Sequence, residues 1–202
     1  MAKISSDRTA IEYDSYDEYV DKQNGKAHTK DSKMSLEWNM EVISTLKKLG
    51  YTFNRLLDVG CRAAVYFDIL NESGIDCVGI DISEKSVKYA QSKGRNVVLG
   101  DAVDLTNLVD NFFDVVISCA SIEHIQQPLM FLHRAYSILN DNGVIAIRVP
   151  EEFVIKNKDN TFSHAWGVTM TKLLDLMQEA HFKIKYVKRI GSNSDYLYVG
   201  QK

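Results

Sequence analysis

The sequence predicts a doubly wound α/β fold, on the basis of three features of residues 55–150. Short Val- and Ile-rich runs recur along this stretch: RLLDVG (55–60), CVGID (77–81), NVVLGD (96–101), FDVVISC (113–119) and VIAIRVP (144–150). Each run is nearly continuous in hydrophobicity, as expected of parallel strands that are covered on both faces. Amphipathic segments separate the runs, near 63–73, 84–93, 104–109 and 128–139. Such alternation is typical of a doubly wound parallel sheet with right-handed crossovers.

The segments on either side of this alternation add helices and a strand pair. Apolar residues recur at helical spacing between 32 and 50, and again between about 170 and 180 after the capping residue Thr169. The runs FKIKYVKRI and DYLYVGQK then alternate apolar and polar residues across the turn GSNS. This pattern predicts an antiparallel pair at the end of the chain.

Length and composition predict one domain with an N-terminal arm. The chain has 202 residues, close to the usual size of a single domain. Residues 1–31 are polar, rich in tyrosine and without clear periodicity, so we interpret them as an arm that acts as a lid over a ligand. Residues 32–202 form the single domain in this interpretation.

Charge and cysteine usage argue against several classes of partner. The 24 basic and 27 acidic residues leave a net charge of −3 without a basic stripe, so no nucleic-acid partner is expected, and Lys93 and Arg95 are interpreted as solvated helix ends. No apolar run approaches the ~20 residues that cross a bilayer, and no secretory signal is visible, which predicts a cytoplasmic protein. Cys61, Cys77 and Cys119 fall in apolar stretches and are predicted to be buried, reduced thiols rather than metal ligands.

Acidic residues stand at the ends of the first three predicted strands. Asp58-Val59-Gly60 closes the first strand, and a glycine there lets the backbone pass close to a ligand. Asp81 closes the second strand 21 positions after Gly60 (81 − 60), near the spacing of ~20 at which an acid meets ribose hydroxyls. Asp101 closes the third, where a carboxylate can accept a hydrogen bond from an adenine amino group. Each acid alone is as readily a helix cap or turn residue, but three at successive strand ends predict a nucleotide site.

Five segments resemble, in order and spacing, the motifs of class I S-adenosylmethionine-dependent methyltransferases, in the group of ubiquinone-biosynthesis and small-molecule enzymes. These segments are LLDVGC, VGIDIS, VVLGDAVDL, FFDVVISCASIEHIQQP and DNGVIAIRVP. The resemblance runs from about residue 55 to 150 and more loosely to the C-terminus. It implies a Rossmann-like, mostly parallel sheet of seven strands with an antiparallel last strand, and S-adenosylmethionine as the cofactor.

The resemblance also implies which residues hold the methionine part of the cofactor. Gly60, Cys61 and the neighbouring backbone would bind it, and Asp58 would orient the turn or reach the methionine amino group through water. Cys119 and Ala120, at the end of the fourth strand, would lie beside the sulfonium.

At the other end of the cofactor, the resemblance places four residues around the adenosine. Asp81 would bind both ribose hydroxyls, and Ile82 would cover one face of the adenine. Asp101 and Ala102 would meet the adenine edge.

The first motif departs from the resembled family at two positions. That motif commonly continues Gly-x-Gly-x-Gly, whereas this chain has Gly60, Arg62 and Ala64. If the backbone at position 62 needs a positive φ, arginine costs roughly 1 kcal/mol there, and weaker cofactor binding is expected. Arg62 is interpreted either as a contact to an acid or to the methionine carboxylate, or as a solvent-facing residue.

Methyl transfer from a sulfonium needs positioning more than covalent help, so the sequence indicates only candidate bases. His124, with Glu123, follows the fourth strand, where the reactive end of the cofactor should lie, although a histidine that caps the next helix is an equal alternative. His164 lies in the long 151–167 connection, of a kind that often lines an acceptor pocket, or is a plain surface histidine.

The charge balance favours a small-molecule or sugar acceptor. Two other functions remain open at this point. One is a catalytically impaired binding protein with the methyltransferase fold, which the altered first motif would explain. The other is an NAD-dependent oxidoreductase, although residues 60–65 lack its three glycines and no Tyr-x-x-x-Lys pair follows the fourth strand.

Overall fold

The computed structural model describes residues 32–110, 112–150, 169–191 and 195–202. The predicted arm (1–31) and the 151–167 connection, including His164, lie outside these residues. Within them the strands are β1 Arg55–Val59, β2 Asp76–Asp81, β3 Val97–Leu99, β4 Phe113–Cys119, β5 Leu139–Pro150, β6 Lys183–Ile190 and β7 Asp195–Gln201. The α-helices are α1 Lys33–Lys48, α2 Phe67–Glu72, α3 Glu84–Ser92, α4 Leu105–Leu108, α5 Pro128–Ile138 and α6 Met170–Glu179. Short 3-10 turns span Ala102–Asp104 and Ile122–His124.

The strands form one seven-stranded sheet in the order β3-β2-β1-β4-β5-β7-β6. Strands β1 to β5 pair in parallel, and β7 lies antiparallel between β5 and β6. The predicted mostly parallel, doubly wound sheet with an antiparallel last strand is therefore confirmed. Because the chain reverses its winding between β1 and β4, a crevice opens at their carboxyl ends, where ligands bind in sheets of this kind.

Helices cover both faces of the sheet, so the strands are buried on both sides. On one face α1, α2 and α3 pack on strand residues such as Leu56 and Val115. On the other face α4, α5 and α6 pack on residues such as Leu57 and Val116. This two-sided burial explains why the sequence runs are nearly continuous in hydrophobicity. No helix in the described ranges is long and apolar enough to span a bilayer.

The beginning of β5 differs from the prediction, at the end of the sheet that lies away from the crevice. The strand begins at Leu139 rather than 144, and its pairing with β4 shifts from Phe113–Leu139 to Val115–Val144. The intervening NDNG segment is accommodated as an irregularity, with Asn142 at a φ of 66°. This segment therefore interrupts the strand instead of preceding it.

A buried arginine links helix α1 to strands β5 and β7. Arg148 of β5 is 1% exposed, and its Nε donates to Asp195 Oδ2 at 2.9 Å. Its Nη1 donates to Glu41 Oε2 at 3.0 Å and to the Trp38 carbonyl at 3.3 Å. Glu41 Oε1 also accepts the Gly191 N–H at 3.0 Å. One guanidinium thus links α1 with β5 and β7, beside the crevice.

This linkage predicts a large loss of stability when one partner is removed. We expect Asp195→Ala to lower the free energy of unfolding by about 3 kcal/mol in urea titrations, because a buried guanidinium loses a charged partner. Lys33→Ala is the control, because Lys33 pairs with Glu37 on the surface, and such pairs contribute about 0–1 kcal/mol. Equal effects of the two substitutions would show that the Arg148 network does not stabilise the fold.

Candidate functional site

Acidic side chains lie at the carboxyl edge of the parallel strands, at or beside the ends of three neighbouring strands. Asp58 lies near the end of β1 and Asp81 ends β2, and both are buried. Asp101 follows β3 and is exposed, with its Oδ1 accepting the Val103 N–H at 3.1 Å. The crevice edge therefore has two enclosed carboxyl groups next to β1 and β2 and a third at its rim.

The turn after β1 has a left-handed backbone at three alternating positions. The φ angles are 79° at Gly60, 51° at Arg62 and 48° at Ala64. Position 62 therefore has the positive φ that the sequence analysis considered, and position 64 has one as well. An L-residue pays roughly 1–2 kcal/mol for this conformation, so the turn keeps the shape of a glycine-rich motif without two of its glycines.

Gly60 is required for space as well as for conformation. A Cβ built on Gly60 would stand 2.6 Å from the Cβ of Ser121, which follows β4. Ser121 Oγ in turn donates to the Cys119 carbonyl at 3.2 Å. Any side chain at position 60 would push the ends of β1 and β4 apart at the crevice.

Asp81 fastens the turn to the end of β2. Its Oδ2 accepts the Arg62 N–H at 2.7 Å, and its Oδ1 accepts the Ser83 N–H at 2.9 Å. These bonds orient the carboxylate that the resemblance assigns to the ribose. The position of the Asp81 carboxylate therefore depends on the backbone conformation of residue 62. Sequence reasoning treated the two positions separately and missed this connection.

Asp58 is a buried carboxyl group whose Oδ1 has no hydrogen-bond partner among the described residues. Burial raises its pKa to about 7, and the negative charge of Asp81 adds to the rise while Tyr66 opposes it. An orphaned buried carboxyl oxygen is costly unless a ligand uses it. An ammonium group or a water molecule would satisfy this oxygen.

Exposed apolar side chains mark the other end of the crevice edge. Ile82 is 48% exposed, and Leu99, which pairs in register with Asp81, is 46% exposed. Ala102 is largely buried in the 3-10 turn that Asp101 caps. Leu99 was not singled out from the sequence, because an apolar residue in a strand run is expected to be covered.

The remaining candidate residues lie at or shortly after the end of β4. Cys119 is half-buried, and Ala120 has a φ of 48° while its N–H donates to the Arg148 carbonyl at 2.8 Å. Glu123 is buried, which raises its pKa to about 7. His124 is half-buried and ends a 3-10 turn, whereas the N-cap of α5 is Gln127. The alternative in which His124 caps α5 is therefore wrong.

The interpretation of Arg95 as a solvated helix end is also wrong. Lys93 is exposed, but Arg95 is only 4% exposed. After α3 the chain turns back through Gly94, whose φ is 77°, and the Arg95 N–H donates to the Ala90 carbonyl at 3.1 Å. This helix ending directs the residue after the glycine inward, which composition alone does not reveal.

The predicted cysteine states agree with the structure in part. Cys61 and Cys77 are buried free thiols, and Cys119, also free, is half-buried. In the part of the chain that the structure describes, no three His, Cys, Asp or Glu side chains are grouped so as to hold a metal ion.

Comparison with known sequences agrees with the motifs. Residues 57–147 match the family model of a methyltransferase domain. A ubiquinone biosynthesis O-methyltransferase from Azorhizobium caulinodans is 30% identical over 99 residues, which are 46% of this chain and 39% of that relative. A second protein of that name, from Cereibacter sphaeroides, is 25% identical and is matched over 59% of its length. The chain thus spans about half the length of these curated relatives.

Solved structures share the fold over most of the chain. A S-adenosylmethionine-dependent methyltransferase from Archaeoglobus fulgidus has a TM-score of 0.66 and 20% identity, over 90% of this chain and 99% of that one. The cyclase SpnF has a TM-score of 0.66 and 15% identity, over 80% and 79% of the two chains. Since fold alone does not decide function, these neighbours show the fold only. Residues 57–147 are thus similar in sequence to a methyltransferase domain, and the chain shares the fold of S-adenosylmethionine-dependent methyltransferases of known structure.

Proposed function

We propose that this protein transfers the methyl group of S-adenosylmethionine to a small-molecule or sugar acceptor. The observation that carries the proposal is the turn at residues 60–64, which keeps three left-handed positions and bonds to Asp81 through Arg62. A fold that no longer bound a cofactor would have no evident reason to retain strained residues there.

Residues along the crevice edge support the binding of this cofactor. The orphaned Oδ1 of Asp58 suits the methionine ammonium, and the turn backbone from Gly60 to Cys61 suits the rest of that amino acid. Asp81 is oriented for the ribose hydroxyls, and the exposed Ile82 covers one adenine face. The bound cofactor would supply an activated methyl group on a sulfonium, with a neutral leaving group.

The remaining proposed contacts are to the adenine edge and to the sulfonium, which lies between the methionine part and the ribose. Asp101 and Ala102 meet the adenine edge beyond β3, and Cys119 and Ala120 stand beside the sulfonium at the end of β4. These roles are carried over from the family resemblance, and the positions of all four residues along the crevice edge support them.

A hydroxyl acceptor would need a base, and the names of the curated relatives point to O-methylation. Glu123 and His124 follow β4 directly, close in sequence to the residues proposed beside the sulfonium. Burial brings the pKa of Glu123 to about 7, near the value at which a general base works best at neutral pH. His164 remains a second proposed base, and its position lies outside the described residues.

A second function, binding or catalysis without methyl transfer, is favoured by one observation. The cyclase SpnF shares this fold, so the fold is not restricted to methyl transfer. The replacement of two motif glycines by Arg62 and Ala64 is consistent with such a change. An assay for methyl transfer to hydroxyl-bearing small molecules separates this possibility from the main proposal.

Calorimetric titration tests which cofactor the protein binds. We expect S-adenosylmethionine and S-adenosylhomocysteine to bind and NAD to give no heat, because the turn lacks the glycines of a pyrophosphate site. Binding of NAD alone would favour the oxidoreductase instead. Binding of S-adenosylhomocysteine without transfer of labelled methyl to any tested acceptor would favour the second function.

The role of Asp81 gives a second expected outcome. Asp81→Ala should weaken S-adenosylhomocysteine binding by about 1.5–3 kcal/mol, roughly 10- to 150-fold, because hydrogen bonds to a charged group are lost. Asp76→Ala is the matched control, because Asp76 lies at the opposite end of the same strand and is exposed. A folded Asp81→Ala variant with unchanged affinity would remove Asp81 from the cofactor site.

The raised pKa of Asp58 predicts a pH dependence of cofactor affinity. In the free protein burial raises this pKa to about 7, so the carboxyl is increasingly protonated below that pH. A bound ammonium favours the ionised form, so binding below pH 7 releases a proton and S-adenosylhomocysteine affinity should rise between pH 6 and 8. Asp58→Asn should flatten this rise in calorimetry at pH 6, 7 and 8. The same slope in wild type and variant would assign the dependence to another group.

A further inference from the structure

The left-handed turn is held in place by a buried side chain from another part of the chain. Arg95 is 4% exposed, and its Nη1 donates to the Ala63 carbonyl at 2.7 Å. Ala63 lies between Arg62 and Ala64, the two non-glycine residues with positive φ. The guanidinium thus contacts the peptide group that joins Ala63 to Ala64, one residue after Arg62.

Asp68 fixes the guanidinium on its other side. Arg95 Nε donates to Asp68 Oδ1 at 3.0 Å, and Nη2 donates to Asp68 Oδ2 at 2.7 Å. Asp68 belongs to the first turn of α2, which follows the left-handed turn directly. The pair is bidentate, which is the strongest and most directional arrangement for an arginine and a carboxylate.

The backbone of Arg95 is fixed as well. Its N–H donates to the Ala90 carbonyl, and Gly94 before it has a positive φ that closes α3. The side chain therefore starts from a rigid helix ending and reaches the turn and α2 together. Three donors of one guanidinium are used, two on Asp68 and one on Ala63.

We propose that Arg95 is a positioning residue for the cofactor: it holds the Ala63 carbonyl and so keeps Arg62 and Ala64 in the conformation that glycines adopt freely. This inference rests on the proposed binding of the cofactor at the turn. Its effect reaches Asp81, because the Arg62 N–H donates to Asp81 Oδ2 at 2.7 Å. Arg95 thereby compensates for the two missing glycines of the first motif.

The geometry requires arginine rather than any cation. A lysine has a single nitrogen and cannot pair with both oxygens of Asp68 while also reaching the Ala63 carbonyl along the planar fork. Arg95→Lys therefore retains the charge and removes the arrangement. If only the positive charge near the turn mattered, this variant would bind the cofactor as the wild type does.

The experiment is a double-mutant cycle on S-adenosylhomocysteine affinity. Arg95→Lys is made in the wild type and in a variant that carries Arg62→Gly and Ala64→Gly. We expect a loss of about tenfold or more in the wild type and of less than about threefold in the glycine variant, because glycine adopts a positive φ without a restraint. An arginine with a merely structural role would cost the same affinity in both backgrounds. Melting temperatures measured alongside show how much stability each variant loses.

Arg55→Lys is the matched control. Arg55 pairs with Asp76 at 3.0 Å at the start of β1, the end away from the crevice, so this variant should leave the affinity unchanged. Should Arg95→Lys not fold, Asp68→Asn tests the same clamp, because the asparagine keeps one acceptor for the guanidinium while the bidentate pair is lost.

The outcomes distinguish the two levels of the proposal. A wild type that binds no S-adenosylhomocysteine would contradict the proposed function and this inference with it. A wild type that binds, combined with equal losses from Arg95→Lys in both backgrounds, would overturn the role of Arg95 alone. A loss confined to the background with Arg62 and Ala64 supports it.

Discussion

The chain must take a left-handed backbone three times within five residues after β1, and much of the crevice depends on that turn. Gly60 brings the end of β1 against Ser121 after β4, where no side chain would fit. Arg62 presents its N–H to Asp81, and Ala64 leads into α2. The relative positions of β1, β2 and β4 at the crevice are thus set by one short stretch of backbone.

Charge is distributed around this stretch in a way that suits a cationic ligand. Asp58, Asp81 and Glu123 are buried near the crevice edge, and burial raises the pKa values of Asp58 and Glu123 to about 7. The two buried guanidinium groups pair with other carboxylates: Arg95 binds Asp68, and Arg148 binds Asp195 and Glu41. S-adenosylmethionine has a sulfonium and an ammonium, so an edge of enclosed carboxyl groups complements it.

The fold and the strand-end acids could be predicted from sequence because each depends on residues that are close together in the chain. Val- and Ile-rich runs report burial on two faces, and Asp81 follows Gly60 at the spacing of one strand-helix-strand unit. The family resemblance implied seven strands with the last antiparallel, but the place of β7 between β5 and β6 was not predicted, since periodicity reveals a strand pair but not its place in a sheet.

The long-range polar contacts could not be predicted in this way. Arg95 lies 27 positions from Asp68, and Arg148 lies 107 positions from Glu41, so no local pattern links them. Arg95 was misread because a basic residue after a helix is usually solvated, and only the turn at Gly94 directs it inward. The replaced glycines at 62 and 64 were visible, whereas the residue that restrains them was not.

A crystal structure of the complex with S-adenosylhomocysteine would show whether the turn binds the cofactor in the conformation that it already has. We expect Arg62 and Ala64 to keep positive φ angles, the ribose hydroxyls to contact Asp81, and Arg95 still to donate to the Ala63 carbonyl. A ligand bound elsewhere, or a turn that abandons its left-handed residues when the ligand binds, would contradict this expectation.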